Sequence, residues 1–176
     1  MTSLRKWISR SRDQSGQALL EFMFVGFIML FMLFGLIDFS RALSTRQVIT
    51  SLSREGSNLA SRGTTLSNTV DAVILAASPL SITTNGYVIC TAVFNSNGVF
   101  TITDQVAKGG IISPSKIGVG VGTDVTGKLP NTTPPIPQTN QTVYVTEVFY
   151  KYKAATPIGQ LLSFGLPTNL YDVAYF

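Results

Sequence analysis

Residues 16–37 read GQALLEFMFVGFIMLFMLFGLI, and they decide how the rest of the chain is interpreted. From Ala18 to Ile37 the run is twenty residues long, and Glu21 is its only charged residue. At a rise of about 1.5 Å per residue, a helix of this length crosses the hydrocarbon core of a bilayer. A charge at the centre of a bilayer costs roughly 2.5–3.5 kcal/mol. Glu21 is therefore expected to be paired or functional.

The charge on either side of this span is uneven. Before Gly16 the chain has four basic residues and one acidic residue, namely Arg5, Lys6, Arg10, Arg12 and Asp13, whereas the remainder has nine basic and eight acidic residues. The positive-inside rule then predicts a cytoplasmic N-terminus and a C-terminal domain on the other side of the membrane. The nearly neutral remainder has no basic patch that would indicate nucleic-acid binding.

Several classes of site are disfavoured by composition. The chain has no His and a single Cys, Cys90, which excludes Ser-His-Asp and Cys-His catalysis, His-ligated metals and an internal disulfide. Cys90 is predicted to be a buried small hydrophobe. The other carboxylates considered lack the spacing of an acid pair or a calcium loop, so solvated charges are predicted at Asp71, Asp104, Asp124, Glu147 and Asp172. We therefore predict no enzymatic activity, no cofactor and no metal.

One motif resembles a phosphate-binding loop without completing it. Residues Gly122–Lys128 fit G-x-x-x-x-G-K, but Leu129 stands where Ser or Thr would reach magnesium. Pro130 disfavours a helical conformation at Leu129, so the helix N-terminus that should receive the phosphate is not expected. We reject the motif.

The start of the apolar span resembles a known processing site. Gly16 is followed by Gln17, Glu21 is the fifth residue after the glycine, and the aromatic Phe22 comes next. This arrangement resembles type IV pilin-like precursors, and the aromatic residue is typical of the Flp/Tad (tight adherence) subclass. Over residues 14–63 the chain is similar to the N-terminal half of TadE-like minor pilins.

The resemblance implies a minor pilin of a Tad/Flp (type IVb) pilus that takes part in pilus assembly and surface adherence. A prepilin peptidase would cut after Gly16 and leave Gln17 as the new N-terminus. Glycine is expected to interrupt the helix there and to let the peptidase approach closely. Glu21 of an incoming subunit would pair with the N-terminal amine of its neighbour, with Phe22 beside it.

The same resemblance implies partners, a location and a division of the chain. The partners would be the prepilin peptidase, the major Flp-type pilin, other minor pilins, pilus platform proteins and membrane lipid. The location would be the bacterial inner membrane and, after assembly, the extracellular pilus. The division would be a leader (1–16), a transmembrane helix (17–37), an amphipathic helical extension (38–63) and an extracytoplasmic domain (64–176).

Three other interpretations explain part of the sequence. A secretory signal peptide is disfavoured because the apolar run exceeds the usual 7–15 residues and no A-x-A site follows. A single-pass membrane-anchored extracytoplasmic binding domain explains the span but gives no reason for the positions of Gly16 and Glu21. A pseudopilin of a related secretion system shares every feature listed so far.

Beyond the span the pattern predicts an α+β fold, with a long helix followed by a small antiparallel sheet and one or two short helices. An apolar stripe comprises Val48, Ile49, Leu52, Gly56, Leu59 and Ala60, and the residues largely opposite it are Arg46, Ser53, Arg54, Ser57 and Ser61. Gly63 is predicted to end this helix. A second helix is predicted over 67–77, with Val70, Val73, Ile74 and Ala77 buried.

The period then changes from helix to strand. Strands are predicted over 87–94, 99–103, 141–153 and 170–176, with an Asn97-Gly98 hairpin turn and a short helix from Thr156-Pro157 through Leu162. In the third strand, one face carries Tyr144, Val148, Tyr150 and Tyr152, and the other carries Val143, Val145, Glu147, Phe149 and Lys151. Residues 108–140, rich in Gly and Pro, are predicted to form an irregular, surface-exposed loop that is a candidate contact surface.

Overall fold

The computed structural model describes residues 2–130, 138–161 and 168–176. Its helices are α1 (Thr2–Ser61), α2 (Leu66–Ala76), α3 (Ile82–Asn85) and α4 (Pro157–Leu161), and its strands are β1 (Gly86–Ser96), β2 (Val99–Gly109), β3 (Thr142–Lys151) and β4 (Asn169–Tyr175). The predicted α+β class is confirmed. The chain divides into two compact units, Met1–Arg41 with Ala154–Leu166, and Ala42–Lys153 with Pro167–Phe176.

The second unit is built on a four-stranded antiparallel sheet of order β2-β1-β3-β4. Asn97 and Gly98 join β1 to β2 with positive φ angles of 52° and 92°, which is the backbone of a type I′ hairpin. The predicted turn is therefore confirmed. β2 continues to Gly109, six residues beyond its predicted end, because pairing with β1 resumes after an irregularity at Ala92/Val93.

The C-terminal third of α1 covers one face of this sheet. Ile49, Leu52 and Ala60 are buried as predicted, and Val48 and Leu59 are half-buried. Ser53 and Ser57 are fully buried, however, so their prediction as polar residues opposite the stripe was wrong. Their hydroxyls find partners across the interface. Ser53 donates to Asp172, while Ser57 donates to the Ala174 carbonyl and accepts from the Thr146 N–H.

α2 completes the same layer and packs on β1 and β2. Thr65 caps its start by accepting from the Asn68 N–H at 3.3 Å. Val70, Val73 and Ala77 are buried as predicted, whereas Ile74 is only half-buried and Leu66 and Thr69 take part in the buried face instead. The helix stop at Gly63 is confirmed, since α1 ends at Ser61 and Gly63 has a φ of 88°.

The opposite face of the sheet is covered by the segment 111–129. Ile117, Val125 and Leu129 of this segment form one buried cluster with sheet residues that are Val93, Ile102, Val143 and Val145. The prediction that the whole of 108–140 is surface-exposed was therefore wrong, because this face of the sheet carries apolar side chains that the segment removes from water. The Pro134-Pro-Ile-Pro stretch lies outside the described residues.

The first unit contains the N-terminal part of α1 and the short helix α4. Thr156 precedes α4 and accepts from the Gly159 N–H at 3.1 Å, which is an N-cap contact. The helix predicted from Thr156-Pro157 is thus confirmed as far as Leu161, and Leu162 lies outside the described residues. β4 confirms the predicted last strand in the second unit.

Candidate functional site

The dominant surface feature of the first unit is the apolar flank of α1. Large apolar side chains from Leu19 to Ile37 are exposed all around the helix; Phe22, for example, has 76% of its surface accessible and Phe24 has 71%. A soluble helix buries one apolar stripe, whereas a helix apolar on every side is typical of a membrane span. Within the described residues, one helix contains a stretch long and apolar enough to cross a membrane, and this stretch lies in the part of α1 from Gly16 to Ser61.

The four sequence-predicted site residues lie at the start of this apolar surface. Gly16, Gln17, Glu21 and Phe22 are all exposed and all belong to α1. The expected interruption of the helix at Gly16 was wrong. A single glycine costs a helix only about 1 kcal/mol, so helical sequence on both sides carries α1 through it. Among the described residues, no heavy atom beyond the helix backbone and the two chain neighbours lies within 4 Å of a Cβ built at Gly16.

Gln17 and Glu21 are four residues apart, so they lie one helical turn apart on the same side of α1. Within the described part of the chain, Glu21 makes no salt bridge; the ion pair found there joins Lys108 to Asp71 at 2.8 Å, far from the span in sequence. The structure therefore presents Glu21 as an exposed carboxylate on an otherwise apolar helix surface.

A buried carboxylate in the second unit was missed by the sequence interpretation. Glu147 on β3 is fully buried, so its prediction as a solvated charge was wrong. It accepts from the Lys116 N–H and the Tyr171 hydroxyl, both at 2.9 Å, and from the Ser115 hydroxyl. Its burial could have been predicted from its position on the same strand face as Val143 and Val145, because the covering segment 111–129 buries that face.

Tyr171 on β4 joins this cluster to the sheet. The Lys116 ammonium lies 3.5 Å from the centre of the Tyr171 ring, and the Phe149 ring centre is 4.9 Å away. Burial, followed by the nearby Glu147 carboxylate, raises the pKa of Tyr171. The phenol therefore stays protonated and donates its hydrogen bond, so the cluster fastens the covering segment to the sheet.

Asp38, in the first unit, is a second buried carboxylate, and the sequence interpretation did not single it out. It is fully buried and accepts from the N–H groups of Ala155 and Thr156, at 2.9 and 3.1 Å, and from the Thr156 hydroxyl. A Cβ built at Gly159 would collide with this carboxylate. Asp38 therefore holds the segment that leads into α4.

The remaining predicted side chains divide by burial. Asp71, Asp104 and Asp124 are exposed as predicted, but Asp172 is half-buried against Ser53. Cys90 is fully buried, as predicted, and burial raises its pKa to about 11. Among the described residues, no group of three or more His, Cys, Asp or Glu side chains could hold a metal ion.

No helix follows the rejected phosphate-binding motif in the described residues up to Pro130. Val125 pairs through its N–H with the Phe100 carbonyl, and Lys128 donates to the Val125 carbonyl in a turn. Residues 128–130 are not helical. The described backbone of this segment thus lacks the strand-to-helix geometry of a phosphate cradle.

Comparison with known proteins identifies the segment that carries Gly16 and Glu21. A family model described as TadE-like protein matches residues 16–58, from the predicted cleavage position to the part of α1 that packs on the sheet. No curated protein and no solved structure gives a significant match. Residues 16–58 therefore match the TadE-like family, as the resemblance predicted.

Proposed function

We propose that this protein is a minor pilin of a Tad/Flp (type IVb) pilus, cleaved after Gly16 and taking part in pilus assembly and surface adherence. The observation that carries the proposal is an exposed apolar helix surface with one carboxylate, Glu21, within a segment that matches the TadE-like family. Before assembly the helix would lie in the inner membrane with its N-terminus in the cytoplasm, as the basic residues before Gly16 favour.

Glu21 has a clear physical role in this proposal. Cleavage after Gly16 would create an ammonium group on Gln17, one helical turn from Glu21. A carboxylate in lipid is costly unless a positive charge balances it. Pairing Glu21 of an incoming subunit with the amine of its neighbour would neutralise both charges and bring the two subunits into axial register.

The proposed partners follow from the steps of assembly. A prepilin peptidase would process the chain, membrane lipid would hold it, and the major Flp-type pilin, other minor pilins and platform proteins would receive it. The extracytoplasmic domain (64–176) would then be attached to the amphipathic part of α1, whose buried face already packs on the sheet. No catalytic residue and no cofactor takes part in this function.

The first test is the intact mass of protein extracted from membranes of cells that make the pilus. We expect the loss of Met1–Gly16 with retention of the apolar helix, and we expect Gly16→Leu to block that loss. An intact N-terminus would refute processing and favour a single-pass membrane-anchored binding domain. A Gln17 blocked by cyclisation would refute the ion pair while leaving cleavage in place.

The second test separates processing from assembly. Glu21→Gln should be cleaved normally but should reduce incorporation into pili, whereas the exposed control Glu55→Gln, also on α1, should be incorporated normally. Normal incorporation of Glu21→Gln would contradict the pairing. A chain that is cleaved and required for secretion of a protein, in cells whose pili are unaffected, would favour a pseudopilin of a related secretion system.

A further inference from the structure

The outer edge of β4 is an open sheet edge in the described residues. Tyr144 and Phe176 exchange both backbone hydrogen bonds, at 2.8 and 2.9 Å, and Tyr152 donates to the Thr168 carbonyl. Antiparallel pairing alternates, so Tyr171, Val173 and Tyr175 direct their N–H and C=O groups away from β3. No backbone hydrogen bond from the described residues reaches these outward groups.

The opposite edge of the sheet, β2, is protected. The Ile102 N–H donates to Thr123, the Gly122 N–H donates to Ile102, and the Val125 N–H donates to Phe100, at 2.8–3.0 Å. The Phe100 N–H donates to the Thr126 hydroxyl at 3.0 Å. Proteins commonly protect edge strands with a covering loop, a charge or a proline. β4 has no Lys or Pro, and its one charged residue, Asp172, is at a position whose backbone faces β3. Its outward positions are Asn169, Tyr171, Val173 and Tyr175.

A groove of about 510 Å³ borders this edge on the side covered by α1. Phe176, which continues β4, lines it together with residues of α1 that are Leu43, Arg46, Gln47, Thr50, Ser51, Arg54, Glu55 and Asn58. Among the lining residues two are basic, Arg46 and Arg54, and one is acidic, Glu55, whereas the half-buried Asp172 is not among them. The groove therefore favours an occupant with a carboxylate.

On the other side of the sheet, the edge is apolar. Val173 and Tyr175 are half-buried against the cluster formed by the covering segment, and Tyr171 is held by Glu147 and Lys116. Side chains of an added strand alternate between the two sides of the sheet. One set would continue this apolar side, and the other set would enter the groove.

We propose that β4 accepts an extended segment of a different protein as a fifth strand, with apolar side chains beside Val173 and Tyr175 and carboxylates in the groove beside Arg46 and Arg54. Backbone groups would supply the affinity and the alternating side chains the selectivity, as in other cases of strand addition. This surface lies in the second unit and does not depend on cleavage after Gly16.

The test uses the full chain in detergent micelles and blocked seven-residue peptides as probes. The first peptide is Val-Glu-Val-Glu-Val-Glu-Val, the second carries Lys in place of Glu, and the third is the first with N-methyl groups on one central Val and one central Glu. We expect the first peptide to bind, and the other two to bind at least about tenfold more weakly, because they lose the carboxylates or the backbone donors.

Variants of the protein sharpen the same measurement. Val173→Pro removes an outward N–H that no ladder bond uses, so it should weaken binding of the first peptide at least about tenfold, while the matched Val173→Thr stays within about twofold. Arg46→Ala with Arg54→Ala should remove the preference for Glu over Lys. If Val173→Pro does not fold, the N-methylated and Lys peptides on the unsubstituted protein still decide the question.

Three results would overturn the proposal. The first is that the Glu peptide does not bind. The second is that the N-methylated or the Lys peptide binds as well as the Glu peptide, or that folded Val173→Pro binds the Glu peptide as well as the unsubstituted protein does. The third is a dimer that forms without peptide and is lost in Val173→Pro but kept in Val173→Thr, because it would assign the edge to a second copy of this chain.

Discussion

Glu147 is a single carboxylate that fastens the covering segment to the sheet. We predict that Glu147→Leu destabilises the folded protein by about 2–5 kcal/mol, because it leaves Ser115, Lys116 and Tyr171 donors without their acceptor. Denaturant unfolding of the full chain in detergent, followed by near-ultraviolet circular dichroism, measures this change. Asp104→Asn, at an exposed carboxylate, should change stability by less than about 0.5 kcal/mol. A Glu147→Leu protein as stable as this control would contradict the role.

Cys90 gives a pH dependence whose sign follows from its environment. Burial raises the pKa of the thiol from 9.0 to about 11, so the folded state holds a proton that the unfolded chain releases first. The protonated thiol therefore contributes up to about 2–3 kcal/mol to the free energy of unfolding. This contribution is complete below pH 9 and is lost as the pH rises towards 11. Between pH 8.5 and pH 10.5 the free energy of unfolding should fall less for Cys90→Ala than for the unsubstituted protein. Equal losses would contradict the burial of a protonated thiol.

At the scale of one residue, the sequence predicted the burial of Cys90 but not that of Glu147, Ser53 or Ser57. An apolar side chain is buried wherever it can be, so its burial is a local property. A polar side chain is buried only where hydrogen-bond partners are available. The partners of Glu147 are more than twenty residues away in sequence, and the partners of Ser57 on the sheet are more than eighty residues away.

At the scale of elements, the contact between α1 and β3 depends on Gly56. A Cβ at this position would lie 2.7 Å from Thr146 Cγ2 and 3.0 Å from Val73 Cγ2. We predict that Gly56→Ala destabilises the protein by about 1–3 kcal/mol, although alanine favours a helix. Thermal unfolding of the full chain measures this. Gly35→Ala lies in the same helix, and no described residue comes within 4 Å of the added Cβ, so it should be neutral or stabilising. A loss of stability as large as that of Gly56→Ala would show that packing is not the cause.

The elements themselves were largely predictable. Helix α2, the Asn97-Gly98 hairpin, β3, α4 and β4 carry local signals, such as caps, turn residues and periodic apolar positions, that do not depend on the rest of the fold. The residues 108–140 were not predictable in the same way. Gly and Pro indicate the absence of helix and strand, but they do not say whether a segment faces solvent or covers a sheet, as Ile117, Val125 and Leu129 do.

At the scale of the whole molecule, the exposed apolar surface of α1 predicts membrane association. Phe27→Asp with Leu30→Asp places two carboxylates near the middle of the span, each costing about 2.5–3.5 kcal/mol, and should move the protein out of the carbonate-resistant membrane fraction. Leu75→Asp, at a side chain that is 82% exposed in the second unit, should leave fractionation unchanged. Unchanged membrane retention of the double variant would contradict the span.

The sequence by itself determined the α+β class, the position of the apolar span and the TadE-like segment, because twenty apolar residues beside Glu21 and Gly16 are a contiguous pattern. Only the tertiary structure decided which carboxylates are buried, how the segment 111–129 covers the sheet and which sheet edge is unpaired among the described residues. Those features depend on partners distant in the chain, and local periodicity carries no information about which distant groups will meet.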